Sequence, residues 1–232
     1  VFFSMTTHHI PESIGIIMDG NRRFAKEQGL PSLEGHRRGY EKLVEVLGWC
    51  RESGVKELIV FAFSTENWQR AEEEVGYLMN LFRTMIANVV ADAKQNDTRL
   101  IFLGERARFA PDIRAAIERA EEETKGGRGF TFGIALSYGG RTEIMDAIRR
   151  IPPEKLATLT EEEFSGYLWT KEMRDPDLIL RTSGEERLSG FLPWQGVYSE
   201  LFFTPTYWPA FSRTEFDAML ETYTNRQRRF GK

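Results

Sequence analysis

Three short stretches of this chain set charged, amide and hydroxyl side chains directly after apolar runs. The first runs from Ser13 to Met18 and continues as Asp19-Gly20-Asn21-Arg22-Arg23. The second, Glu57 to Phe63, is followed by Ser64-Thr65-Glu66-Asn67-Trp68-Gln69-Arg70. The third, Asp177 to Leu180, leads into Arg181-Thr182-Ser183-Gly184-Glu185-Glu186-Arg187-Leu188-Ser189. A short apolar run bounded by turn residues reads as a buried strand, and in an open α/β sheet ligands bind beyond the carboxyl ends of the strands. Arg22, Arg23, Arg70, Arg181 and Arg187 would then converge on one edge. Guanidinium forks match phosphate oxygens, and backbone amides at a helix start add donors. Turn chemistry alone also accounts for Asp19, Gly20 and Asn21. Solvation alone does not account for so many cations on three loops, because like charges repel unless an anion lies between them. The pattern points to a site for one or two phosphorylated ligands.

Acids near these stretches are few. Asp19 and Glu200 are the natural ligands for a hard cation, and magnesium favours one or two carboxylates plus substrate phosphates. There is no Gly-x-x-x-x-Gly-Lys-Ser/Thr loop and no Gly-x-Gly-x-x-Gly after the first strand, which argues against the common nucleotide sites. His8 and His9 are adjacent, and His36 lies beside Arg37 and Arg38, so no histidine pair has metal-ligand spacing.

The elements that must position these residues alternate. A helix opens near Arg22, and a second is expected from Glu34 to Ser53, with Leu43, Val46, Leu47 and Cys50 at helical spacing. A long helix from Glu72 to Gln95 carries one wide apolar stripe of Val75, Leu78, Met79, Phe82, Met85, Ile86, Val89 and Val90. That stripe is either plain core or the wall of an apolar tunnel. Arg99 to Gly104 and Phe130 to Leu136 read as further strands, with a helix from Pro111 to about Lys125 between them and another reaching about Arg150. Pro152-Pro153 makes a loop, Glu161 to Leu168 a short helix, and Glu200 to Phe203 a sixth strand. A last helix starts at the capping-box spacing Ser212 to Glu215 and is expected to end in the basic run from Arg226 to Arg229. Strands alternating with helices argue a mainly parallel sheet in one α/β domain.

Composition agrees. The chain has 232 residues, 41% hydrophobic and 28% charged, enough to fill one large core, and no linker marks a boundary. A formal net charge of −4 speaks against bulk attraction to nucleic acid. Cys50 is the only cysteine, which excludes a disulfide within the chain and favours a reducing compartment. Residues 1–12 are expected to be an N-terminal tail whose start, Val1 to Met5, is too short and uncharged for a signal peptide, with Met5 a candidate natural start; residues 13–232 would be the domain. No run approaches the ~18 apolar residues of a membrane span.

The runs IIMDGNRRFAK, GHRRGYEKL, FAFSTENWQR, SYGGR, DLILRTSGEERLSGFLPWQGVYSELFFTPTYWPAF and NRQRRFG resemble the cis-prenyltransferases, the undecaprenyl and dehydrodolichyl diphosphate synthase family. The resemblance covers about residues 12 to 231. It implies a six-stranded, mostly parallel sheet flanked by about seven helices, an apolar tunnel, and a homodimer in the bacterial type. The implied reaction is the magnesium-dependent condensation of isopentenyl diphosphate with an allylic diphosphate (farnesyl or geranylgeranyl diphosphate). The product is a cis-polyprenyl diphosphate, the precursor of a glycosyl carrier lipid. Localisation would be cytoplasmic, with peripheral membrane contact through the product tail. By position, Asp19 would handle magnesium together with Glu200, and Asn67 would take part in proton removal. Gly20, Asn21, Arg22, Arg23, Phe24 and His36 would hold the allylic diphosphate, with Ser64, Thr65, Glu66, Trp68 and Arg70 around the substrate. Arg181, Arg187, Leu188 and Ser189 would bind isopentenyl diphosphate.

Some positions depart from the family pattern. Arg22 replaces a glycine common in bacterial members, Phe24 a tryptophan, Ser32 an arginine, Ser13 a histidine, Ala71 a proline and Gly190 an asparagine. Arg22 is a candidate to supply the charge missing at Ser32. A non-catalytic partner subunit of the same fold would lack the Asp19 to Asn21 core that this chain keeps. A polyprenyl-phosphate carrier would keep binding, without turnover, after Asp19→Ala. The trans-type enzymes are excluded, since no Asp-Asp-x-x-Asp occurs.

Overall fold

The computed structural model describes residues 10–226. His8 and His9, most of the expected tail, and the basic run from 227 onward lie outside the described residues. Strand β1 (Ser13–Ile17) is buried at all five positions, as a strand covered on both faces of a parallel sheet must be. It pairs in parallel with β2 (Glu57–Ser64) on one side and β5 (Leu178–Arg181) on the other. Beyond β2 lie β4 (Phe130–Tyr138) and then β3 (Thr98–Leu103). Beyond β5 lies β6 (Glu200–Phe203). The order is β3-β4-β2-β1-β5-β6, and every pairing is parallel, where the sequence argued for mainly parallel. The chain winds outward from β1 in one direction and then in the other, so the switch point lies between β1 and β5. Crevices that bind ligands open at such points, beyond the strands' carboxyl ends.

Seven α-helices among the described residues connect and cover the strands. They are α1 (Asn21–Glu27), α2 (Ser32–Glu52), α3 (Glu72–Gln95), α4 (Pro111–Thr124), α5 (Gly140–Arg150), α6 (Glu161–Ser165) and α7 (Arg213–Asn225). Helix α2 starts two residues before the expected Glu34, directly after Pro31, whose φ of −56° leads into the first turn. Helix α6 stops at Ser165, three residues short of expectation, and the described part of α7 ends at Asn225 rather than in the basic run. The polar stretch after β2 winds into a 3-10 helix, Thr65–Gln69, closed by reciprocal hydrogen bonds between Ser64 and Asn67.

The alternation of side chains along the strands builds two cores. Ile14, Ile16, Leu58, Val60, Leu100, Phe102, Phe132, Ile134, Leu178 and Leu180 face α2, α3, α4 and α7. Ile17, Ile59, Ile101, Leu103, Ala135 and Ile179 face Tyr138, Phe191 and Leu192 on the other side. Each wholly buried leucine, isoleucine or phenylalanine contributes about 1.5–3 kcal/mol. The α3 stripe belongs to the first core: Leu78, Phe82, Met85, Ile86 and Val89 are buried among their neighbours. Side chains from the following segments occupy the outer edge of β3. The Leu100 amide donates to Thr124 Oγ1 at 3.1 Å, the Phe102 amide donates to Glu121 Oε1 at 2.9 Å, and Arg106 Nη2 donates to the Phe102 carbonyl at 2.9 Å. No described helix is long and apolar enough to cross a membrane.

Candidate active site

The loop after β1 turns sharply at Gly20, whose φ of 104° lies in the left-handed region. A side chain there would be strained, and its Cβ would come within 2.8 Å of the Tyr207 ring and 3.0 Å of Ser183. Two further contacts pin the turn: the Asp19 carbonyl accepts from Thr182 Oγ1 at 2.7 Å and from the Trp208 amide at 3.0 Å. Helix α1 starts one residue later and α2 packs closely on it. A Cβ at Gly35 would meet the Asn21 carbonyl at 2.1 Å, and one at Gly39 would meet Asn21 Oδ1 at 2.2 Å. These glycines set Asn21 and His36 side by side.

Across the switch point, Ile17 of β1 is level with Arg181 of β5. Arg181 is almost wholly buried, and its Nη2 donates to Asp19 Oδ2 at 2.8 Å. Its Nη1 donates to Ser189 Oγ at 2.8 Å, tying down the far end of the 182–189 loop. Arg181 Nε has no acceptor, so one donor of the guanidinium is left unspent. Arg23 bridges Asp19 at 3.3 Å and Glu185 at 3.0 Å, and Glu185 also pairs with Arg187. Burial on its own would raise the pKa of Asp19. The hydrogen bond and charge of Arg181, the charge of Arg23 and the Gly20 amide outweigh it and hold the carboxyl below the usual range. Asp19 is therefore an ionised oxygen donor held by two arginines.

Around this pair lies a cavity of about 520 Å³, lined among others by Asp19, Asn21, His36, Ser64, Glu66, Asn67, Arg70, Arg181 and Ser189. A second recess of about 370 Å³ shares Asp19, Asn21, His36 and Arg70 and adds Gly20, Arg22, Arg23 and Arg187. Met18, Ala62 and Leu78 line the first cavity and also an apolar pocket of about 60 Å³ between α2 and α3, where they meet Tyr40, Phe82, Met85 and Trp208. Among the described residues the structure thus shows an apolar pocket at this place, and the expected tunnel is not shown. A cleft of about 580 Å³ beside β3 is lined by charged residues such as Arg99, Arg106, Glu121 and Glu172, which are paired with one another, and lies away from the switch point.

Most of the site residues expected from sequence come together here, but five do not. Trp68 packs edge-on against Phe63 at 5.0 Å and donates from Nε1 to Ser137 Oγ at 2.9 Å, away from the cavity linings. Thr65 abuts Gly139, Leu188 packs against the second core, and Phe24 is half-buried without lining either cavity. Glu200 opens β6 level with Leu178, roughly 10 Å along the strand from the level of Arg181, and pairs with Arg226. One chain does not bring it to Asp19. In the other direction, Glu74, Glu185 and Tyr207 serve the site without having been singled out. Glu74 carried a readable signal, since it lies four residues after Arg70 at a helix start.

Among the described residues no group of three or more His, Cys, Asp or Glu side chains could hold a metal. The donor set fits a hard cation that takes one carboxylate from the protein and its other ligands from phosphates and water. An ionised carboxylate, clustered arginines and an adjoining apolar pocket together define a site for an anionic group carried on a hydrocarbon.

Comparison with known proteins gives that site a family. The profile of a family described as undecaprenyl diphosphate synthase matches residues 17–231. The isoprenyl transferase of Thermus thermophilus is 44% identical, covering 96% of this chain and 89% of its own. A tritrans,polycis-undecaprenyl-diphosphate synthase (geranylgeranyl-diphosphate specific) of Picrophilus torridus is 43% identical over 97% of this chain and 91% of its own. Among solved structures, lavandulyl diphosphate synthase from Lavandula x intermedia, in complex with dimethylallyl diphosphate, superposes with a TM-score of 0.90. It is 30% identical and covers 96% of this chain and 99% of its own. A probable undecaprenyl diphosphate synthase from Campylobacter jejuni gives 0.82 at 32% identity, over 97% and 100%. The fold is that of these prenyl diphosphate synthases. The chain belongs to the undecaprenyl diphosphate synthase family of isoprenyl transferases.

Proposed function

We propose that this protein condenses isopentenyl diphosphate with an allylic diphosphate, farnesyl or geranylgeranyl diphosphate, in cis configuration, and repeats the step to build a polyprenyl diphosphate. The observation that carries the reading is the Asp19–Arg181 pair at the β1/β5 switch point, set in an arginine-lined cavity that shares Met18, Ala62 and Leu78 with an apolar pocket. The dimethylallyl diphosphate bound to a structural neighbour supports an allylic diphosphate as ligand.

Ionisation of the allylic substrate puts charge on its departing diphosphate. Arg22, Arg23 and Arg70 would stabilise it from fixed positions, which is where pre-placed charge lowers a barrier. Asp19 would hold a magnesium ion, which supplies further neutralisation of the diphosphate when bound. Arg181, Arg187 and Ser189 would place isopentenyl diphosphate so that its double bond attacks the allylic carbon. Asn67, whose Oδ1 accepts from the Ser64 amide at 3.0 Å, lines the cavity and would take part in proton removal by orienting the step in which the departing diphosphate accepts the proton lost as the new double bond forms. The growing chain would enter the apolar pocket between α2 and α3. Leu81, Phe82 and Met85 of α3 line that pocket.

Val197 and Tyr198, 67% and 79% exposed ahead of β6, together with Leu201 on it, support a homodimer through this edge. A cytoplasmic enzyme whose product tail meets the membrane completes the reading. The test is incubation of purified protein with radiolabelled isopentenyl diphosphate, farnesyl diphosphate and magnesium, followed by chain-length and double-bond analysis. Label should enter cis-polyprenyl products and should stay out when a chelator is present. Absence of any incorporation with magnesium would sink the proposal.

A further inference from the structure

Glu74 lies in the first turn of α3, outside the three strand-end loops, and its side chain lines neither polar cavity. Yet three nitrogen donors that do line them end on its one carboxylate. Arg70 Nη1 donates to Oε1 at 2.9 Å, and His36 Nε2 lies 3.3 Å from the same oxygen. Arg22 Nη1 donates to Oε2 at 3.4 Å. The three come from different elements: Arg22 from α1, His36 from α2, and Arg70 from the end of the 3-10 helix after β2. The Glu74 side chain is 16% exposed and that of His36 only 10%.

We propose that Glu74 is a positioning residue, which from behind the cavity wall gathers Arg22, His36 and Arg70 into one surface that receives the allylic diphosphate. This rests on the reading of the cavity as a diphosphate site. The physical case has three parts. Two guanidinium groups brought close repel, and one carboxylate between them offsets part of that repulsion while leaving the surface net positive. Long arginine side chains lose rotamer freedom when they clasp an anion, and chains already fixed lose less at that moment. An ionised acceptor also holds its donors more strongly than a neutral one. Arg22 is 55% exposed and makes the longest of the three contacts, so its direction depends most on Glu74. The groups facing His36 are Glu74, Arg70 and Arg22. Burial first, then the two arginines against the opposing pull of Glu74, lowers the pKa of its ring, so His36 serves here as a neutral donor.

An ordinary helix-start ion pair would contribute to stability and nothing else, and binding separates the two cases. Inorganic pyrophosphate is titrated calorimetrically into the wild-type protein, Glu74→Gln and Glu74→Asp, with a chelator present so that no metal carries the contact. Steady-state kinetics with both substrates and magnesium follow. Glu74→Gln should weaken pyrophosphate binding about tenfold and raise KM for the allylic diphosphate by a similar factor. KM for isopentenyl diphosphate should stay within about twofold. Glu74→Asp, which keeps the charge but draws it back by one methylene, should fall between. Equal or tighter pyrophosphate binding in Glu74→Gln overturns the proposal, and if that variant does not fold, unchanged binding in Glu74→Asp does so instead. Failure of the wild-type protein itself to bind pyrophosphate would count against the diphosphate site, a separate result.

Discussion

Replacing Asp19 with asparagine should cost both stability and turnover, and acid should separate the two effects. Removing one partner of a fully buried ion pair costs about 3–5 kcal/mol, whereas exposed pairs contribute about 0–1 kcal/mol. Arg181 is 6% exposed and Asp19 28%, so the pair falls between these limits, and a loss of about 2 kcal/mol is expected. For a chain of this length that lowers Tm by roughly 4–8 °C. The pKa of Asp19 in the folded protein lies below its ordinary 3.8. Its stabilising contribution is therefore fully present above that ordinary value and is lost as pH falls through the lower folded one. Urea unfolding of wild type and Asp19→Asn should show a constant gap from about pH 7 to pH 5 that narrows only in stronger acid. Turnover at pH 7 should fall at least about 100-fold, because the variant lacks the carboxylate that would hold the magnesium ion whose charge offsets that of the departing diphosphate. Equal midpoints at pH 7, or a gap that persists unchanged in strong acid, would refute the electrostatic account of this pair. Wild-type turnover in the variant would refute its place in the chemistry.

Two other expectations follow from packing. Glu143 is wholly buried and accepts from the Tyr138 hydroxyl at 2.5 Å, the Trp169 amide at 2.9 Å and the Gln195 side chain at 3.1 Å. Glu143→Ala strands those donors at about 1–3 kcal/mol each, and chemical denaturation should show a loss of at least about 3 kcal/mol. Ala62 lines both the polar cavity and the apolar pocket; Ala62→Leu should shorten the product chains seen by mass spectrometry while leaving the first condensation intact, and unchanged chain lengths would show that product grows elsewhere.

Much of the fold was legible because the strands are short apolar runs cut off by glycine, asparagine or charged residues, and the helices show apolar spacing with clear starts. Ile14, Ile16 and Ile17 read as a buried strand candidate, the structure makes them a doubly covered strand, and Asp19 follows it. What local pattern could not show was which polar residues past a strand turn back into the protein. Trp68 has the look of a substrate contact, but a 3-10 turn carries it onto Phe63 and Phe109. Glu200 was an avoidable misplacement: it begins its strand, and in a parallel sheet strand starts lie at the end opposite the site. The family resemblance suggested a metal role that strand direction argues against within one chain. Glu74 was legible only in its spacing from Arg70. Its partners Arg22 and His36 are 52 and 38 residues away, and their meeting depends on the approach of α2 to α1 that Gly35 and Gly39 allow.

The side chains on the outer edge of β3 have a consequence for assembly. With the Leu100 and Phe102 amides and the Phe102 carbonyl already engaged, that edge offers little to an incoming strand. The sheet is then one-ended. If copies meet along the β6 side about a twofold axis, as proposed above, the β3 edge gives them little from which to continue. In that proposed arrangement, two amides and a carbonyl that lie five strands away from the β6 edge would favour a self-limiting pair over an open-ended stack.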